Sequence, residues 1–291
     1  MTLDQLNRAS PEAFVAAIGE AFERAPWVAQ AAARKRPFRT VADLHDAMMQ
    51  AVRQAPPARR LAFIAGHPEL GSRVRRADLT GHSQHEQGSL GLDRLSAEEF
   101  ERFARLNAAY RDKFGFPFII CVRRHTRDSI LRQFERRLGN DAESERARAL
   151  DEIAWITRLR IANLVEGPGK PSTSGRLTSH VLDLVAGGPA QGVHLSLYEI
   201  GTSARGLLCE AVTDAAGRTD PPLIAEAPLR IGTYELAFRV GAYFAHRQPP
   251  AATATGFLDV VPVRFSIAEP EAHYHVPLLV TPWSYTTYRG S

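Results

Sequence analysis

The stretch Gly167-Pro168-Gly169-Lys170-Pro171-Ser172-Thr173-Ser174-Gly175 separates two parts of the sequence that differ in periodicity. Its prolines lack a backbone donor, its glycines loosen the backbone, and its hydroxyl side chains favour turns. Before it, apolar residues recur at helical spacing, whereas after it they alternate or form short β-branched runs between turn signals. We therefore predict one domain over 1–166, a flexible linker over 167–175 and a second domain over 176–291.

The composition is that of a globular protein with two cores. At 291 residues, each half is long enough to bury a core of its own. We find no secretory signal pattern and no apolar stretch long enough to span a bilayer. The two cysteines, Cys121 and Cys209, fall in different halves, which disfavours a disulfide framework and favours a reducing, cytoplasmic location.

The formal charge of +4 comes mostly from arginines of the first half. Such an excess could indicate nucleic-acid binding. These arginines are interleaved with acids along predicted helices, as in Glu135-Arg136-Arg137, which is typical of a solvated, salt-bridged face. We therefore predict neither a nucleic-acid partner nor a membrane partner.

The first half is predicted to be all-helical. Ser10-Pro11-Glu12 combines the cap, the proline and the acid of a helix start, and Pro26 is expected to end this helix. Similar signals predict further helices from about residues 40, 56, 96, 126 and 141. The run 116–122 is an extended apolar segment between two of these helices.

Two polar features of this half do not fit a core. His67 follows Gly66 at the end of a predicted helix, where it could cap the helix dipole or act as a reactive group. The loop 81–88 has no apolar residue and could be either a solvated connection or a site. A metal site at His82 and His85 is not favoured, because no cysteine, aspartate or further histidine stands at ligand spacing.

Arg160 is a third unusual position. It lies in the middle of the apolar stripe that Ile153, Ile156 and Leu164 form on the last predicted helix. A guanidinium in that place needs a buried anion. The anion could be a neighbouring carboxylate or the carboxylate of a substrate, and the sequence leaves both open.

These residues carry a family resemblance. His67-Pro68-Glu69-Leu70-Gly71, the loop from Ser83 to Gln87 and the segment from Leu106 to Phe118 resemble the 2-oxo-4-hydroxy-4-carboxy-5-ureidoimidazoline (OHCU) decarboxylase family of purine catabolism. The resemblance covers essentially all of residues 1–166, although Glu69 stands where aspartate is usual.

The resemblance implies decarboxylation without a cofactor. His67 would be the proton donor, Glu86 would bind and polarise the substrate hydroxyl or a ring nitrogen, and Arg160 would anchor the anionic substrate. Substrate-binding roles are implied for Pro68, Ser83, Gln84, His85, Gln87, Phe118, Ile119, Ile120, Cys121 and Val122.

The second half reads as an all-β domain. Short alternating or β-branched runs separated by turn signals predict strands at 176–184, 193–200, 206–212, 232–240, 257–267 and 273–280, with one helical turn at 242–246. Many short strands with almost no helix indicate a β-sandwich or a barrel.

Four polar features stand out in this half. His180 lies within a strand and could be a satisfied, half-buried residue or a functional one. Arg218 follows a tight turn, where a solvated arginine is the ordinary case, and His275 lies in a late strand. The last eight residues, 284–291, hold two tyrosines and an arginine, which is rich for a frayed end.

Together these features resemble the transthyretin-like 5-hydroxyisourate hydrolase family over about residues 175–291. The segments that carry the resemblance are Ser179-His180-Val181-Leu182-Asp183, Thr213 to Arg218, Tyr274 to Leu279, and the terminal Tyr288-Arg289-Gly290-Ser291. The terminal tetrapeptide separates the hydrolases from transthyretin, the hormone carrier of the same fold. Thr287 stands where serine is commoner.

This second resemblance implies a transthyretin-like β-sandwich that opens a lactam ring with water. Either His275 or His180 would deprotonate the water, and the other would hold or protonate the substrate. Arg218 would bind the oxygen where charge develops, and Tyr288 and Ser291 would close the pocket. It also implies tetramers with sites at a subunit interface, while the helical domain is expected to form dimers.

The two resemblances together predict a bifunctional enzyme of urate breakdown with an α domain followed by a β domain. The second domain would convert 5-hydroxyisourate to OHCU, and the first would convert OHCU to (S)-allantoin and CO2. The expected protein is a homo-oligomer without cofactor or metal, linked in function to a urate-oxidising enzyme. Two alternatives are a transthyretin-like ligand carrier on a helical scaffold and a fusion in which only one domain is active.

Overall fold

The computed structural model describes residues 1–70, 96–202, 205–225, 229–247 and 257–290. The chain forms two compact units, one of Met1–Arg123 with Ser129–Ser172 and the other of Arg124–Asp128 with Thr173–Ser291. Each unit has its own cluster of buried apolar side chains. No described helix has the length and hydropathy that a membrane span requires.

The described residues of the first unit form helices and no strand, as predicted. The α-helices of this part of the chain are α1 (Leu3–Arg8), α2 (Pro11–Ile18), α3 (Pro26–Ala33), α4 (Val41–Gln54), α5 (Pro57–Ala65), α6 (Ala97–Phe114), α7 (Arg127–Arg137) and α8 (Ala142–Leu164). Short 3-10 turns occupy Gly19–Ala21 and Val122–Arg124.

Local capping explains where several helices begin. The Ser10 hydroxyl accepts from the amide of Ala13 at the start of α2, and Ser96 and Glu99 form a reciprocal capping box at the start of α6. Asp141 caps α8 by accepting from two backbone amides. These starts confirm the signals seen in the sequence.

The prediction for Pro26 was wrong. Helix α2 already ends at Ile18, and Pro26 begins α3 instead of ending a helix. The fixed φ angle of proline suits the first turn of a helix, where its missing N–H costs no hydrogen bond. A proline after an apolar periodic run can therefore mark either boundary.

A buried polar cluster holds the extended segment 116–122 in place. Arg137 donates to a carboxylate oxygen of Glu145 at 2.7 Å and to the carbonyl of Ile119 at 2.8 Å. Glu145 also accepts from the Tyr110 hydroxyl, and from Asn140 at 2.7 Å. Burial and this carboxylate raise the pKa of Tyr110, so its hydroxyl stays protonated and donates.

The second unit contains two four-stranded sheets. Its strands are β1 (Arg176–Asp183), β2 (Gly188–Pro189), β3 (His194–Ile200), β4 (Arg205–Val212), β5 (Gly232–Phe238), β6 (Val261–Ile267), β7 (His273–Val280) and β8 (Tyr285–Thr287), with one short helix, α9 (Val240–Ala245). The sheet orders are β2-β1-β7-β8 and β4-β3-β5-β6. The sandwich prediction is confirmed, and β6 begins four residues later than the sequence indicated.

Strand β1 pairs in parallel with β7 and alternates between the core and the opposite face. Leu177, Ser179 and Val181 are buried, whereas Thr178 and His180 on the other face are half-buried. This alternation is the period of two that a strand imposes. It places the polar side chains of β1 on one face of the sheet.

The predicted linker is held at both of its ends. The amide of Val41 donates to the carbonyl of Pro168 at 2.9 Å within the first unit. In the second unit, a Cβ atom at Gly175 would lie 2.1 Å from the carbonyl oxygen of Pro270, so only glycine fits there. The exact limits of the two domains stay a prediction.

We expect Glu145→Gln to destabilise the helical unit by about 3 to 5 kcal/mol, because it leaves the Arg137 guanidinium buried without its counter-charge. Urea unfolding followed by circular dichroism at 222 nm measures this loss. Glu143→Gln is the matched control, since Glu143 is exposed on the same helix. Equal effects of the two changes would contradict the assigned role of the buried pair.

Two candidate active sites

His67 lies just beyond the end of α5. Its Nδ1 is 3.0 Å from the carbonyl oxygen of Phe63, and its ring meets the Phe63 ring edge-on at 5.0 Å. A carbonyl oxygen can only accept, so Nδ1 carries the proton of the neutral ring and Nε2 presents a lone pair. The backbone turn after the helix therefore fixes both the orientation and the tautomer of this imidazole.

The electrostatic surroundings keep His67 neutral. Burial lowers the pKa of His67 to about 4. The hydrogen bond to Phe63 and the Glu23 carboxylate oppose this shift, and Arg160 adds to it. Because both Glu23 and Arg160 act on the ring, the three side chains form one electrostatic group.

The buried anion that Arg160 requires includes Glu23. The guanidinium Nη1 lies 3.1 Å from a carboxylate oxygen of Glu23, and both side chains are almost fully buried, at 4% and 2% exposure. Of the two alternatives left by the sequence, the structure shows the neighbouring carboxylate. Glu23 was not identified from the sequence. The available signal was Arg160 itself, because a buried guanidinium indicates that an acidic side chain is buried beside it.

The segment Phe118–Val122 is buried along its length, and two of its backbone groups are bonded within the protein. The Cys121 amide donates to Glu152 at 2.9 Å, and the Ile119 carbonyl accepts from Arg137. The Phe118 ring stacks on Phe134 with a centroid distance of 3.8 Å. Packing therefore fixes Phe118, Ile119, Ile120, Cys121 and Val122 in place.

The other predicted residues of this site divide into two groups. Pro68 is half-buried directly after His67, and the backbone two residues later is held by Asn107, whose amide donates to the Leu70 carbonyl at 2.8 Å. Five predicted site residues lie outside the described residues, and these are Ser83, Gln84, His85, Glu86 and Gln87.

The second site lies where β1 and β7 run side by side. Their register pairs Thr178 with His275, and His180 is two residues further along the same face of β1. The rings of His180 and His275 are 6.5 Å apart between centroids. Arg218, which directly follows Gly217, forms an isolated antiparallel β-bridge with His180. The structure therefore brings the three predicted basic residues together.

Two residues of this face were not among the predicted site residues. The Thr178 hydroxyl is 2.8 Å from Nδ1 of His275 and 2.9 Å from Nε2 of His273. The spacing of two between His273 and His275, and between Thr178 and His180, was the available signal. It places all four side chains on one face once the parallel pairing is known.

Both central imidazoles are held in their neutral form. Burial lowers the pKa of His180 and of His275, and the Arg218 guanidinium lowers both further. His180 and His273 also lower the pKa of His275. Each ring therefore has an unprotonated nitrogen at neutral pH that can accept a proton.

The C-terminal segment lies directly against His275. The Gly290 amide donates to the His275 carbonyl at 2.9 Å. A Cβ atom at Gly290 would lie 2.7 Å from Cδ2 of the His275 ring, which requires glycine at this position. Tyr288 is exposed at 58%, and Ser291 lies outside the described residues. Among the described residues, no group of three or more His, Cys, Asp or Glu side chains is arranged to hold a metal ion.

Comparison with known proteins gives a separate match for each part of the chain. Residues 7–162 match the family model of OHCU decarboxylase, and residues 177–290 match that of the HIUase/transthyretin family. The 2-oxo-4-hydroxy-4-carboxy-5-ureidoimidazoline decarboxylase of Haloferax volcanii is 42% identical over 162 residues, which are 56% of this chain and 95% of that protein.

The second part and the whole chain also have similar proteins. The 5-hydroxyisourate hydrolase of Deinococcus radiodurans is 51% identical over 115 residues, which are 40% of this chain and 95% of that protein. A crystal structure of (S)-allantoin synthase matches over 100% of both chains, with 31% identity and a TM-score of 0.55.

We expect an NMR titration to give a pKa of about 4 for His67, because its ring is desolvated against Phe63. The signal that disappears in His67→Gln identifies the residue. The folded-state pKa lies below the ordinary value of 6.5, so the ring stays neutral as the pH falls through 6 and 5. A midpoint near 6.5 would contradict the burial of this imidazole.

We expect Gly290→Ala to lower kcat/KM of any reaction at the second site by on the order of 10- to 100-fold, because the new methyl group displaces the His275 ring. Gly188→Ala is the control, since a Cβ atom at Gly188 meets no atom within 4 Å. Reactions at the first site should be unchanged in both variants. An unaffected rate in Gly290→Ala would show that the position of this ring is not critical.

Proposed function

Because the chain belongs to the OHCU decarboxylase family in its first part and to the HIUase/transthyretin family in its second, we infer that it is a bifunctional enzyme of urate breakdown. The second part hydrolyses 5-hydroxyisourate to OHCU, and the first decarboxylates OHCU to (S)-allantoin and CO2. The observation that carries this conclusion is that both families match in one chain. The structural match to an (S)-allantoin synthase covers the full length of both chains.

In the hydrolase site, the basic residues divide the work of ring opening. One of the neutral rings, His275 or His180, takes a proton from water, and the resulting hydroxide attacks the lactam carbonyl. Arg218 stabilises the oxygen on which negative charge develops. The carbon–nitrogen bond then breaks, and the nitrogen takes a proton from an imidazolium. Tyr288 and Ser291 close the pocket in this proposal.

In the decarboxylase site, His67 would move one proton between two substrate atoms. Conversion of OHCU to allantoin releases the carboxylate as CO2, turns the adjacent hydroxyl into a carbonyl and adds a proton to carbon 5. The lone pair on Nε2 of His67 suits it to accept the hydroxyl proton and then to donate a proton to carbon 5 from one face. The charge left by the departing carboxylate is neutralised by a proton from solvent.

The remaining decarboxylase residues would bind the substrate. Arg160 attracts the substrate carboxylate, while Glu23 holds its guanidinium and balances part of its charge. Glu86 binds the hydroxyl or a ring nitrogen, and Ser83, Gln84, His85, Gln87 and the Phe118–Val122 segment orient the ureido group and the ring. The rigid packing of that segment supports an orienting role, because a fixed backbone keeps the substrate on one face.

The proposal extends to the assembly and the surroundings of the enzyme. We propose a homo-oligomer in which the helical domain makes dimer contacts and the β domain forms a tetramer. The domains would span 1–166 and 176–291 with 167–175 between them. The protein would be cytoplasmic, and an enzyme that oxidises urate would supply its substrate.

We expect His67→Ala to abolish only the stereoselective formation of allantoin, and His275→Ala to abolish only the accelerated ring opening. Each loss should be on the order of 100-fold or more, since general acid–base catalysis at one residue contributes that much. Ring opening is measured by the decay of 5-hydroxyisourate absorbance, and stereoselectivity by circular dichroism of the allantoin formed from urate with a urate oxidase.

Two results would contradict the proposal. A wild-type protein that does not accelerate 5-hydroxyisourate decay over buffer is not a hydrolase, and racemic allantoin shows that the decarboxylase part is inactive. If either single substitution stopped both steps, the two sites would not be independent.

A further inference from the structure

Thr178 lies between two histidines of the hydrolase site. Its hydroxyl oxygen is within hydrogen-bond distance of Nδ1 of His275 and Nε2 of His273, at 2.8 and 2.9 Å. A threonine hydroxyl has one proton to donate, although its oxygen can accept from two donors. At most one of the two ring nitrogens can therefore accept from it, and at least one must carry a proton.

The direction of these hydrogen bonds decides what His275 can do. If Thr178 donates to Nδ1, the neutral His275 ring carries its proton on Nε2 and can only donate there. If Nδ1–H of His275 donates to Thr178, Nε2 has a free lone pair that can take a proton from water. The threonine proton is then directed to Nε2 of His273.

We propose that Thr178 is a positioning residue that holds His275 in the Nδ1–H tautomer and thereby makes His275 the base that activates the attacking water. His273 completes the arrangement because its Nε2 accepts the threonine proton. The inference rests on the proposed hydrolase function and assigns the base within that site. His180, the alternative base, then has the role of holding the substrate, and its ring centroid lies 6.5 Å from that of His275.

The same arrangement suits the charged state of the ring during the reaction. When His275 takes a proton from water, it becomes an imidazolium with a proton on each nitrogen. The Nδ1–H already points at the threonine oxygen, so no hydrogen bond has to rearrange. The imidazolium is stabilised by the Thr178 oxygen, which accepts from Nδ1–H while its own O–H donates to Nε2 of His273.

The neighbouring charges favour a neutral His275 before the reaction. Burial, Arg218, His180 and His273 all lower its pKa. The charged and titratable groups that share this face or act on its rings, among the described residues, are Arg176 and His180 on β1, His273 on β7, and Asp214 and Arg218 on the loop after β4. Nε2 of His273 accepts the threonine proton only when that nitrogen carries no proton of its own.

The step balances without any further reactant. Water gives one proton to Nε2 of His275, and its oxygen forms a bond to the lactam carbonyl carbon. The carbon–nitrogen bond breaks, and the departing nitrogen takes the proton from Nε2. The ring returns to its neutral Nδ1–H tautomer, and the net change is the addition of one water molecule to the substrate.

The test compares Thr178→Val with Thr178→Ser in the full-length protein. Valine keeps the shape and the strand propensity of threonine but removes the hydroxyl, and serine keeps the hydroxyl. We expect kcat for 5-hydroxyisourate hydrolysis to fall on the order of 100-fold in Thr178→Val with little change in KM, because only the base is affected. Thr178→Ser should retain most of the activity.

Ser179→Ala is the matched control. Ser179 is the next residue of β1, and its hydroxyl donates to the Val276 carbonyl at 2.8 Å on the buried face of the same two strands. Its loss should lower the melting temperature without changing kcat or its pH profile. Comparable losses of kcat in Ser179→Ala and Thr178→Val would assign Thr178 to structure and overturn the proposal.

Two readouts separate a positioning role from a structural one. The first is a double-mutant cycle, in which His273→Ala lowers kcat alone but has no further effect in the Thr178→Val background. Additive effects of the two changes would overturn the shared hydrogen-bond arrangement. The cycle also measures how much of the effect of His273 on kcat acts through the Thr178 hydroxyl.

The second readout is the imidazole nitrogen NMR spectrum at pH 7. Signals that disappear in His275→Gln should show a protonated Nδ1 and an unprotonated Nε2 in the wild type. A predominant Nε2–H tautomer would overturn the proposal even if Thr178→Val does not fold. Failure of the wild type to hydrolyse 5-hydroxyisourate is a different result, because it rejects the proposed function itself.

Discussion

A buried charge is tolerated only when it is paired, and this constraint organises the first unit from its core to its candidate site. Arg137 and Glu145 are both almost completely buried, and their pair also binds Tyr110 and the carbonyl of Ile119. The extended segment next to them is thereby fixed without a strand to hold it. Near His67, the pair of Arg160 and Glu23 obeys the same constraint, so the charges of the site are set by the packing of the core.

The second unit reaches its site through strand register instead. Parallel pairing of β1 with β7 places Thr178 beside His275, and the period of two brings His180 and His273 to the same face. In this site Arg218 lowers the pKa of both His180 and His275, and His180 and His273 lower the pKa of His275 further. Such rings are available as bases at neutral pH, where isolated histidines would be partly charged. The C-terminal segment contributes Gly290, which can approach the His275 ring closely because it has no Cβ atom.

The sequence predicted the architecture and family well, because capping signals, periodicity and motifs are local. It identified His67, Arg160, His180, Arg218 and His275, and the structure brings the last three together. Glu23 and Thr178 were missed because their roles depend on contacts between residues far apart in the chain. Arg160 and Glu23 are 137 residues apart, and Thr178 and His275 are 97 apart. The error at Pro26 was of another kind, since the same residue fits the end of one helix and the start of the next.

The two sites control an imidazole by different partners, and the difference matches their chemistry. The carbonyl of Phe63 can only accept, so His67 has one neutral tautomer and always offers Nε2 as a base. The hydroxyl of Thr178 can accept or donate, so the tautomer of His275 depends on a third group, His273. In the decarboxylase, a fixed ring facing one side of the substrate is what a stereoselective proton transfer requires. In the hydrolase the product of the step has no new stereocentre to protect, and a ring whose tautomer is set by a neighbour is sufficient.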